Sequence, residues 1–211
     1  MNVKIKNCGI NTPEAVSAAV ESGADYLGFM QYPPSPRHIH STDAAAFSAH
    51  LPSHVKSVAV MVNPTDGQLR QLLQEWQPDI LQLHGDETPE RVSTIRQLTS
   101  LPIIKAINIA TLDDVNATRI FQPVADMLLF DTKHDSVRGG SGIAFDWGLL
   151  ASQSLTKPWF LSGGLDAANV VEAVTRTRAP MVDVSSGIES SRGVKDPTKI
   201  TAFNQQLRRS T

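Results

Sequence analysis

The chain has 211 residues, of which 41% are hydrophobic and 19% charged, with a formal net charge of -2. These values are ordinary for a soluble globular protein, and so small a net charge would not attract nucleic acid or an anionic membrane. No apolar run approaches the roughly 20 residues of a membrane helix, and the N-terminus lacks an apolar signal core, so we expect a cytoplasmic protein. Cys8 is the single cysteine, which excludes an intramolecular disulfide.

Predicted strands and helices alternate along the chain with no linker between them. Short apolar runs, of the kind buried on both faces, predict eight strands at residues 3–7, 26–30, 55–62, 80–83, 103–107, 127–130, 159–161 and 182–184. Helices are predicted between them, among them residues 13–21, 66–74, 89–98, 167–176 and 197–208. This alternation indicates βα units and a parallel sheet.

A closed barrel and an open doubly wound sheet share this alternation, and the weak helical pattern of residues 113–123 does not separate them. The positions of the unusual residues favour the barrel. Nearly all follow the carboxyl ends of predicted strands: Cys8-Gly9, 32–37, Asn63-Pro64, 82–85, Asp131-Thr132, 162–164 and 185–187. In a barrel these ends form one mouth, whereas an open sheet would spread them along an edge. We therefore predict an α/β fold, a single-domain (βα)8 TIM barrel over residues 1–211.

Two glycine turns follow the last two predicted strands. Residues 162–164 (Ser-Gly-Gly) and 185–187 (Ser-Ser-Gly) lie where barrels commonly bind phosphate through backbone N–H groups. One Gly-Gly pair alone is usually only a turn, but two such turns after consecutive strands predict a phosphate site. Its expected members are Gly163, Gly164, Ser186 and Gly187. No Rossmann or Walker pattern occurs, which disfavours a nucleotide.

Two further loops are candidates for substrate contact. The loop from Tyr32 to Arg37 contains three prolines and ends in a guanidinium group. Because arginine binds carboxylate in a bidentate manner, Arg37 suits an acidic group of a substrate, with a solvated surface arginine as the alternative. The glycine-rich residues 138–142 suit a lid, with an ordinary surface loop as the alternative.

A set of specific motifs occurs in order along nearly the whole chain. They are residues 6–10 (KNCGI), 28–29 (GF) with 35–37 (SPR), 82–87 (QLHGDE), 131–132 (DT), 139–142 (GGSG) with 145–147 (FDW), 162–165 (SGGL), 182–189 (VDVSSGIE) and 195–200 (KDPTKI). Together they resemble phosphoribosylanthranilate isomerase. Asn7 departs from the apolar residue that usually precedes the cysteine of this family.

The resemblance implies a cofactor-free sugar-phosphate isomerase of tryptophan biosynthesis on a (βα)8 barrel. It would convert N-(5-phosphoribosyl)anthranilate into 1-(2-carboxyphenylamino)-1-deoxyribulose 5-phosphate by an Amadori rearrangement. Matched residue by residue, Cys8 would be the general base, Asp131 the general acid, and Arg37 would face the carboxylate of the anthranilate. The two glycine turns would hold the phosphate. We expect the protein to bind this small sugar-phosphate substrate. We also expect it to be a monomer or a homodimer.

The chemistry itself requires an acid and a base on either side of the sugar. Opening of the furanose needs a proton on the ring oxygen, and the resulting Schiff base must then lose a proton from the adjacent carbon. We therefore expect a raised pKa for Asp131, which must start protonated, and a lowered pKa for Cys8, which must supply thiolate. A buried structural carboxylate is the alternative for Asp131.

Lys6 is the candidate for lowering the pKa of Cys8. Side chains alternate along a strand, so Lys6 and Cys8 point the same way, and Lys6 is expected in the barrel interior beneath the thiol. A buried lysine needs a partner. Asp183 is the expected one, because the first and last strands are neighbours in a closed barrel. The alternative is a wet layer at the barrel floor, with no effect on catalysis.

The sequence disfavours a metal site and two other functions. The six histidines are scattered, so we expect no metal and disfavour a metal-dependent epimerase; His84 is expected to orient its loop. Indoleglycerol-phosphate synthase shares the fold but uses a lysine and a glutamate in the mouth, where none is evident, since Lys105 lies near the start of its strand. A non-catalytic sugar-phosphate sensor is disfavoured by the presence of Cys8 and Asp131.

Overall fold

The computed structural model describes residues 3–132, 147–151 and 155–210. Within these ranges eight parallel strands form a closed barrel in chain order. The strands are β1 (Lys4–Cys8), β2 (Tyr26–Met30), β3 (Lys56–Met61), β4 (Ile80–Leu83), β5 (Ile103–Ile109), β6 (Met127–Thr132), β7 (Trp159–Leu161) and β8 (Met181–Val184). The helices are α1 (Pro13–Glu21), α2 (Ser41–Ser48), α3 (Asp66–Glu75), α4 (Pro89–Thr99), α5 (Leu112–Ala117), α6 (Gly148–Ala151), α7 (Val170–Thr177) and α8 (Pro197–Ser210).

The pairing of β1 closes the barrel. β1 is hydrogen-bonded to β2, with Cys8 opposite Gly28, and also to β8, with Lys6 opposite Asp183. In an open sheet, the first and last strands in the spatial order each lack one neighbour. Here β8 pairs with β1, so the sheet has no edge, and the doubly wound alternative is excluded. The predicted barrel is confirmed.

Threonine caps begin several of the helices. Thr12 accepts a hydrogen bond from the backbone of Ala15 and precedes Pro13, which occupies a position where a missing N–H costs little. Thr65 and Thr111 each form a full capping box with the residue three positions later. These caps satisfy N–H groups that a helix leaves free, and they fix where each helix starts.

The structure also differs from the predicted elements in several places. Helix α7 begins at Val170 rather than at residue 167, because Asp166 accepts the N–H groups of Ala168 and Asn169 in a turn. The weak pattern after residue 113 is the short α5 followed by a 3-10 helix, Thr118–Phe121. Helix α2 was not predicted. Neither was a small hairpin after β8, made of β9 (Glu189–Ser191) and β10 (Val194–Lys195).

Apolar side chains form two separate buried clusters. The larger fills the layer between strands and helices, and the smaller fills the barrel interior with Cys8, Tyr26, Val58, Val60, Ile80, Ile104, Ala106, Leu129, Phe160 and Met181. Tyr26 and Phe160 meet edge to face across the interior, with ring centroids 5.4 Å apart. The lower barrel is therefore a packed core, which leaves the carboxyl ends of the strands to hold a ligand.

Candidate active site

Cys8 and Asp131 lie at the carboxyl ends of β1 and β6, and both are buried, with exposed fractions of 6 and 9%. Around the barrel these strands are separated by β7 and β8, so the thiol and the carboxyl group come from well-separated parts of the wall. A ligand in the mouth would have one of them on either side. The alternation of side chains predicted this placement for Cys8, which belongs to the interior cluster.

Lys6 lies beneath Cys8 in the barrel interior, as predicted. Its Nζ is 2.6 Å from Asp183 Oδ1 on the neighbouring strand, and its side chain is fully buried. Asp183 Oδ2 accepts a second hydrogen bond, from Ser162 Oγ at 3.2 Å. Gly28 makes room for this group, because a Cβ there would lie 2.9 Å from Cys8 Sγ and 3.1 Å from Lys6 Nζ. The predicted partnership of Lys6 with Asp183 is confirmed.

The predicted lowering of the Cys8 pKa is wrong. Burial raises the pKa of the thiol, and the positive charges of Lys6 and Lys195 offset only part of that effect, while Asp183 adds to it. For Lys6 itself, burial lowers the pKa, but Asp183 and Cys8 outweigh burial and the pKa is raised. Lys6 therefore holds its proton firmly beneath the thiol.

Asp131 has partners on both carboxyl oxygens. Oδ1 accepts the backbone N–H of Thr132 at 2.8 Å, and Oδ2 lies 3.4 Å from His84 Nε2. His84 Nδ1 is in turn 2.9 Å from Gln82 Nε2. The sequence predicts that His84 orients its loop. The contact with Asp131 was not predicted, because the two residues belong to the ends of β4 and β6, with β5 between them.

The two glycine turns lie against each other and against the end of β6. Gly163 has φ +87°, and a Cβ there would collide with the Thr132 hydroxyl, so no larger residue fits. A Cβ on Gly187 would collide with the Leu165 carbonyl oxygen. In the described residues, no acceptor is paired with the backbone N–H groups of Gly163, Gly164, Ser186 or Gly187. These donors match what a phosphate requires.

Arg37 is buried, so it is not a solvated surface arginine. Its Nε and Nη2 donate to the two carboxylate oxygens of Glu189, at 2.6 and 3.0 Å. The prediction assumed that the whole bidentate fork faces a substrate. The structure instead uses the Nε and Nη2 edge within the protein, and among the described residues Nη1 has no hydrogen-bond partner.

Glu189 and Lys195 belong to this site and received no role from the sequence. They come from the unpredicted hairpin β9–β10, which folds back so that Lys195 Nζ is 2.8 Å from Glu189 Oε1. Burial opposes ionisation of Glu189, but the hydrogen bond from Arg37 and the charge of Lys195 lower its pKa to about 2. Both residues end or begin motifs that pointed to the family, which was the available signal.

The unusual Asn7 lies on the outer face of β1. Its side-chain amide exchanges two hydrogen bonds with that of Asn204 on α8, at 3.1 and 3.0 Å, and both residues are fully buried. Asn204 Nδ2 also lies 2.8 Å from Ser22 Oγ. A polar residue before the cysteine is therefore accommodated by a polar partner on the last helix, because a buried amide must be hydrogen-bonded.

Some further expectations concern metals, membranes and the lid. Among the described residues, no group of three or more His, Cys, Asp or Glu side chains could hold a metal ion, and no helix is long and apolar enough to cross a membrane. His50 and His54 are four residues apart, but they lie in turns beyond the end of α2. The proposed lid at residues 138–142, and residues 145–146, lie outside the described residues.

A closed (βα)8 barrel with a thiol, a carboxyl group and two glycine turns at its mouth is typical of enzymes that act on small phosphorylated substrates. The model of one protein family, N-(5'-phosphoribosyl)anthranilate isomerase, matches residues 5–206. The isomerase of Paracoccus denitrificans is 48% identical over 206 residues, 96% of each chain. That of Parvibaculum lavamentivorans is 45% identical over 215 residues, 100% of each chain.

Solved structures of the same family have the same fold. Phosphoribosyl anthranilate isomerase from Thermotoga maritima has a TM-score of 0.89 at 36% identity, covering 98% of each chain. A complex of such an isomerase with reduced 1-(o-carboxyphenylamino)-1-deoxyribulose 5-phosphate has a TM-score of 0.85 at 34% identity, with the same coverage. The chain belongs to the N-(5'-phosphoribosyl)anthranilate isomerase family. It is an isomerase of tryptophan biosynthesis, an intramolecular oxidoreductase.

Proposed function

We propose that the protein converts N-(5-phosphoribosyl)anthranilate into 1-(2-carboxyphenylamino)-1-deoxyribulose 5-phosphate, without a cofactor, with Cys8 as general base and Asp131 as general acid. The observation that carries this assignment is the placement of a thiol and a carboxyl group on separated strands of one mouth, above a buried ammonium group. A single substrate can contact both groups there. The proposal takes residues 1–211 as one isomerase domain in the cytoplasm.

Asp131 acts first. Its carboxylic proton moves to the ring oxygen of the furanose, the bond from this oxygen to C1 breaks, and the nitrogen lone pair forms a Schiff base at C1. Asp131 is then a carboxylate, whose Oδ1 accepts the Thr132 N–H and whose Oδ2 lies 3.4 Å from His84 Nε2. The product of this step is an open chain, with the sugar carbon next to C1 activated for proton loss.

Cys8 acts second. Its thiolate removes the proton from C2, and the electrons move into the C1–C2 bond to give an enolamine. Tautomerisation, with return of a proton at C1, leaves a ketone at C2, so C1 is reduced and C2 oxidised within one molecule. Because the pKa of Cys8 is raised, only a fraction of the protein carries thiolate at neutral pH, and Lys6 limits how small that fraction is.

The two ends of the substrate have separate partners in this proposal. The backbone N–H groups of Gly163, Gly164, Ser186 and Gly187 bind the phosphate, supported by the abutting turns. The Nη1 end of Arg37 binds the anthranilate carboxylate. Two charged anchors on either side of the reacting carbons would hold C2 near the thiol, which supplies the orientation that general-base catalysis needs.

The ring-closing synthase is disfavoured by the position of Lys105. Its Nζ donates to the carbonyl of Gly85 at 2.8 Å and pairs with Glu87 at 2.7 Å, while its strand neighbours Ile103 and Ile109 pack in the outer core. The Lys105 side chain therefore lies on the outer side of β5, held by the loop after β4, and does not face the barrel interior where a substrate would react. A non-catalytic sugar-phosphate sensor differs from an isomerase by turnover alone.

The test is consumption of the aminoaldose by purified protein. Phosphoribosylanthranilate should disappear, seen as loss of its anthranilate fluorescence, in the presence of a metal chelator and with no cofactor added. The combined variant Cys8→Ala/Asp131→Asn, if folded by circular dichroism, is the control and should show only the uncatalysed rate. Equal rates for parent and control would overturn the proposal, and ligand binding without turnover would favour the sensor.

A further inference from the structure

We propose that Glu189 and Lys195 are positioning residues that hold Arg37 for the substrate carboxylate, which supplies the anion that this buried cluster lacks. The cluster of Arg37, Glu189 and Lys195 is called the rim cluster below. The proposal rests on the proposed function, because it takes Arg37 as the residue that binds the carboxylate.

The contacts of Glu189 fix Arg37 from one side. Each Glu189 carboxylate oxygen accepts a hydrogen bond from one nitrogen of Arg37. These two parallel hydrogen bonds fix the orientation of the guanidinium plane. Gly193 N–H donates to Oε2 at 3.1 Å, and Lys195 Nζ donates to Oε1 at 2.8 Å. Glu189 is thus held by its own hairpin while it holds Arg37, which is the arrangement expected of a positioning residue.

Lys195 connects the rim cluster to the phosphate turn. Its Nζ donates to the carbonyl of Ser185 at 2.8 Å and lies 3.2 Å from the Ser185 hydroxyl. Ser185 directly precedes Ser186 and Gly187 in the sequence. One ammonium group therefore contacts both the residue that orients Arg37 and the turn proposed to bind phosphate. Lys199 Nζ donates to the Glu189 carbonyl at 2.7 Å and fastens the hairpin further.

The charges of the rim cluster do not balance. Two cations face one carboxylate, and all three residues are buried, with exposed fractions of 6, 7 and 6% for Arg37, Glu189 and Lys195. A buried surplus charge is unfavourable unless another group compensates it. Burial lowers the pKa of Lys195, and the charge of Arg37 adds to this effect, although Glu189 and Cys8 oppose it; this direction fits a cluster short of one anion.

Two anions can complete the cluster, the substrate carboxylate and the Cys8 thiolate. The turn after Cys8 packs directly on the cluster: a Cβ at Gly9 would lie 2.8 Å from Arg37 Cδ and 3.3 Å from Lys195 Cε. In the substrate the carboxylate is only a few bonds from the carbon that loses its proton, so a carboxylate on Arg37 and a reacting carbon at Cys8 are compatible. The Nη1 end of Arg37, which Glu189 does not use, favours the carboxylate.

The experiment compares phosphoribosylanthranilate with N-(5-phosphoribosyl)aniline, which lacks the carboxylate. For Glu189→Gln and Lys195→Met we expect KM for the natural substrate to rise about tenfold, as for loss of a charged hydrogen bond, with a smaller change in kcat. For the aniline compound, kcat/KM should change less than about threefold. Lys195→Arg keeps the charge and should recover most of the preference of the parent for the carboxylate.

Glu87→Gln is the matched control, because Glu87 forms an equally buried pair with Lys105 outside the barrel interior. It should leave the ratio of kcat/KM between the two substrates at the value of the parent. Equal losses on both substrates in the Glu189 and Lys195 variants would overturn the proposal and assign these residues to structure alone. An unchanged ratio together with a raised Cys8 pKa in Lys195→Met would also overturn it and assign the surplus charge to the thiolate.

The parent protein alone gives a test that does not depend on the folding of any variant. It must prefer the natural substrate over the aniline compound; equal kcat/KM values would overturn the inference while the isomerase function stands. If the parent turns over neither compound, the proposed function fails instead, so the two failures are distinguishable.

Discussion

Two of the buried lysine–carboxylate pairs that the structure describes, Lys6–Asp183 and Lys105–Glu87, have nearly the same length but different surroundings. Lys6 and Asp183 are 2.6 Å apart inside the barrel, and Lys105 and Glu87 are 2.7 Å apart outside it. Burial lowers the pKa of both lysines, but Asp183 and Cys8 reverse this effect for Lys6, whereas Glu87 does not reverse it for Lys105. The distance between the two charged groups therefore does not indicate the role of a pair. The residues that surround the pair do indicate it.

The neighbours of each pair explain the difference. Lys105 donates to the carbonyl of Gly85, and Glu87 accepts the N–H groups of Asn63 and Gly85, so this pair fastens the loops after β3 and β4. Lys6 has the thiol of Cys8 above it and contributes to the electrostatics of that thiol. We infer that the outer pair serves stability and the inner pair serves the reacting group, and the predictions below test this division.

The largest expected effect is at the group that the inner pair serves. Cys8→Ser replaces the thiol by a hydroxyl group that is far less acidic, so kcat should fall about 10²- to 10⁴-fold, as for loss of a general base. Fluorescence assays give the rate, and thermal unfolding should change little because the shapes are similar. Activity within a few-fold of the parent would contradict the role of Cys8 and remove the reason for assigning function to the inner pair.

The next effect is at the opposite side of the mouth. Asp131→Asn cannot donate a carboxylic proton and should lose about 10²-fold or more in kcat, with binding of a phosphate analogue retained. Asn keeps the shape of Asp, so the unfolding midpoint should stay close to that of the parent. A variant that is unfolded, or one that keeps its turnover, would instead place Asp131 with the outer pair as a structural carboxylate.

The inner pair was predictable from the sequence, and the rim cluster was not. Strand alternation puts Lys6 on the side of Cys8, and closure of the barrel puts β8 beside β1, so two general rules lead to Asp183. Strands such as β4 and β7 were likewise predicted to the residue, because a buried parallel strand is a short, mainly apolar run. The fold thus follows from patterns that are local in the sequence.

The contact between Arg37 and Glu189 has no such rule. The two residues are 152 positions apart, and Glu189 starts a short polar hairpin whose sequence has no strand pattern. The wrong direction for the Cys8 pKa has a related cause, because the sequence places a lysine near the thiol but does not say how completely both are buried. Burial and opposing charges depend on the packed barrel as a whole.

A direct comparison of the two lysines follows. Lys105→Met leaves Glu87 buried without its cation and should reduce the free energy of unfolding by about 3–5 kcal/mol, with no change in the titration of Cys8. Lys6→Met should cost a similar amount and should also raise the Cys8 pKa further, because it removes the cation that lowers this pKa most and leaves Asp183, which raises it. We expect its kcat/KM to fall about tenfold.

The rate of alkylation as a function of pH measures this titration, and it reports on Cys8 alone because the chain has no other cysteine. Urea unfolding gives the stabilities. Equal alkylation profiles for both variants would remove the distinction between the inner and the outer pair. If Lys6→Met does not fold, Lys6→Arg keeps a cation and should retain a Cys8 pKa closer to that of the parent.

The smallest expected effect is a pH-dependent change in the free energy of unfolding caused by Glu189, the carboxylate partner of the buried Lys195 in the rim cluster. Its pKa is held at about 2 in the folded protein, below the roughly 4.3 of an unfolded glutamate. A depressed carboxyl pKa stabilises the fold fully above the unfolded value, and this contribution is lost as pH falls through the window from about 4.3 to about 2. The stability of the parent relative to Glu189→Gln should therefore shrink on acidification, by about 1–2 kcal/mol between pH 7 and about pH 3. Urea unfolding of both proteins at the two pH values measures this difference.

A stability difference that is independent of pH, or that grows on acidification, would mean that Glu189 is not ionised beside Arg37 and Lys195. The charge imbalance of the rim cluster would then have to be explained by the titration of Lys195.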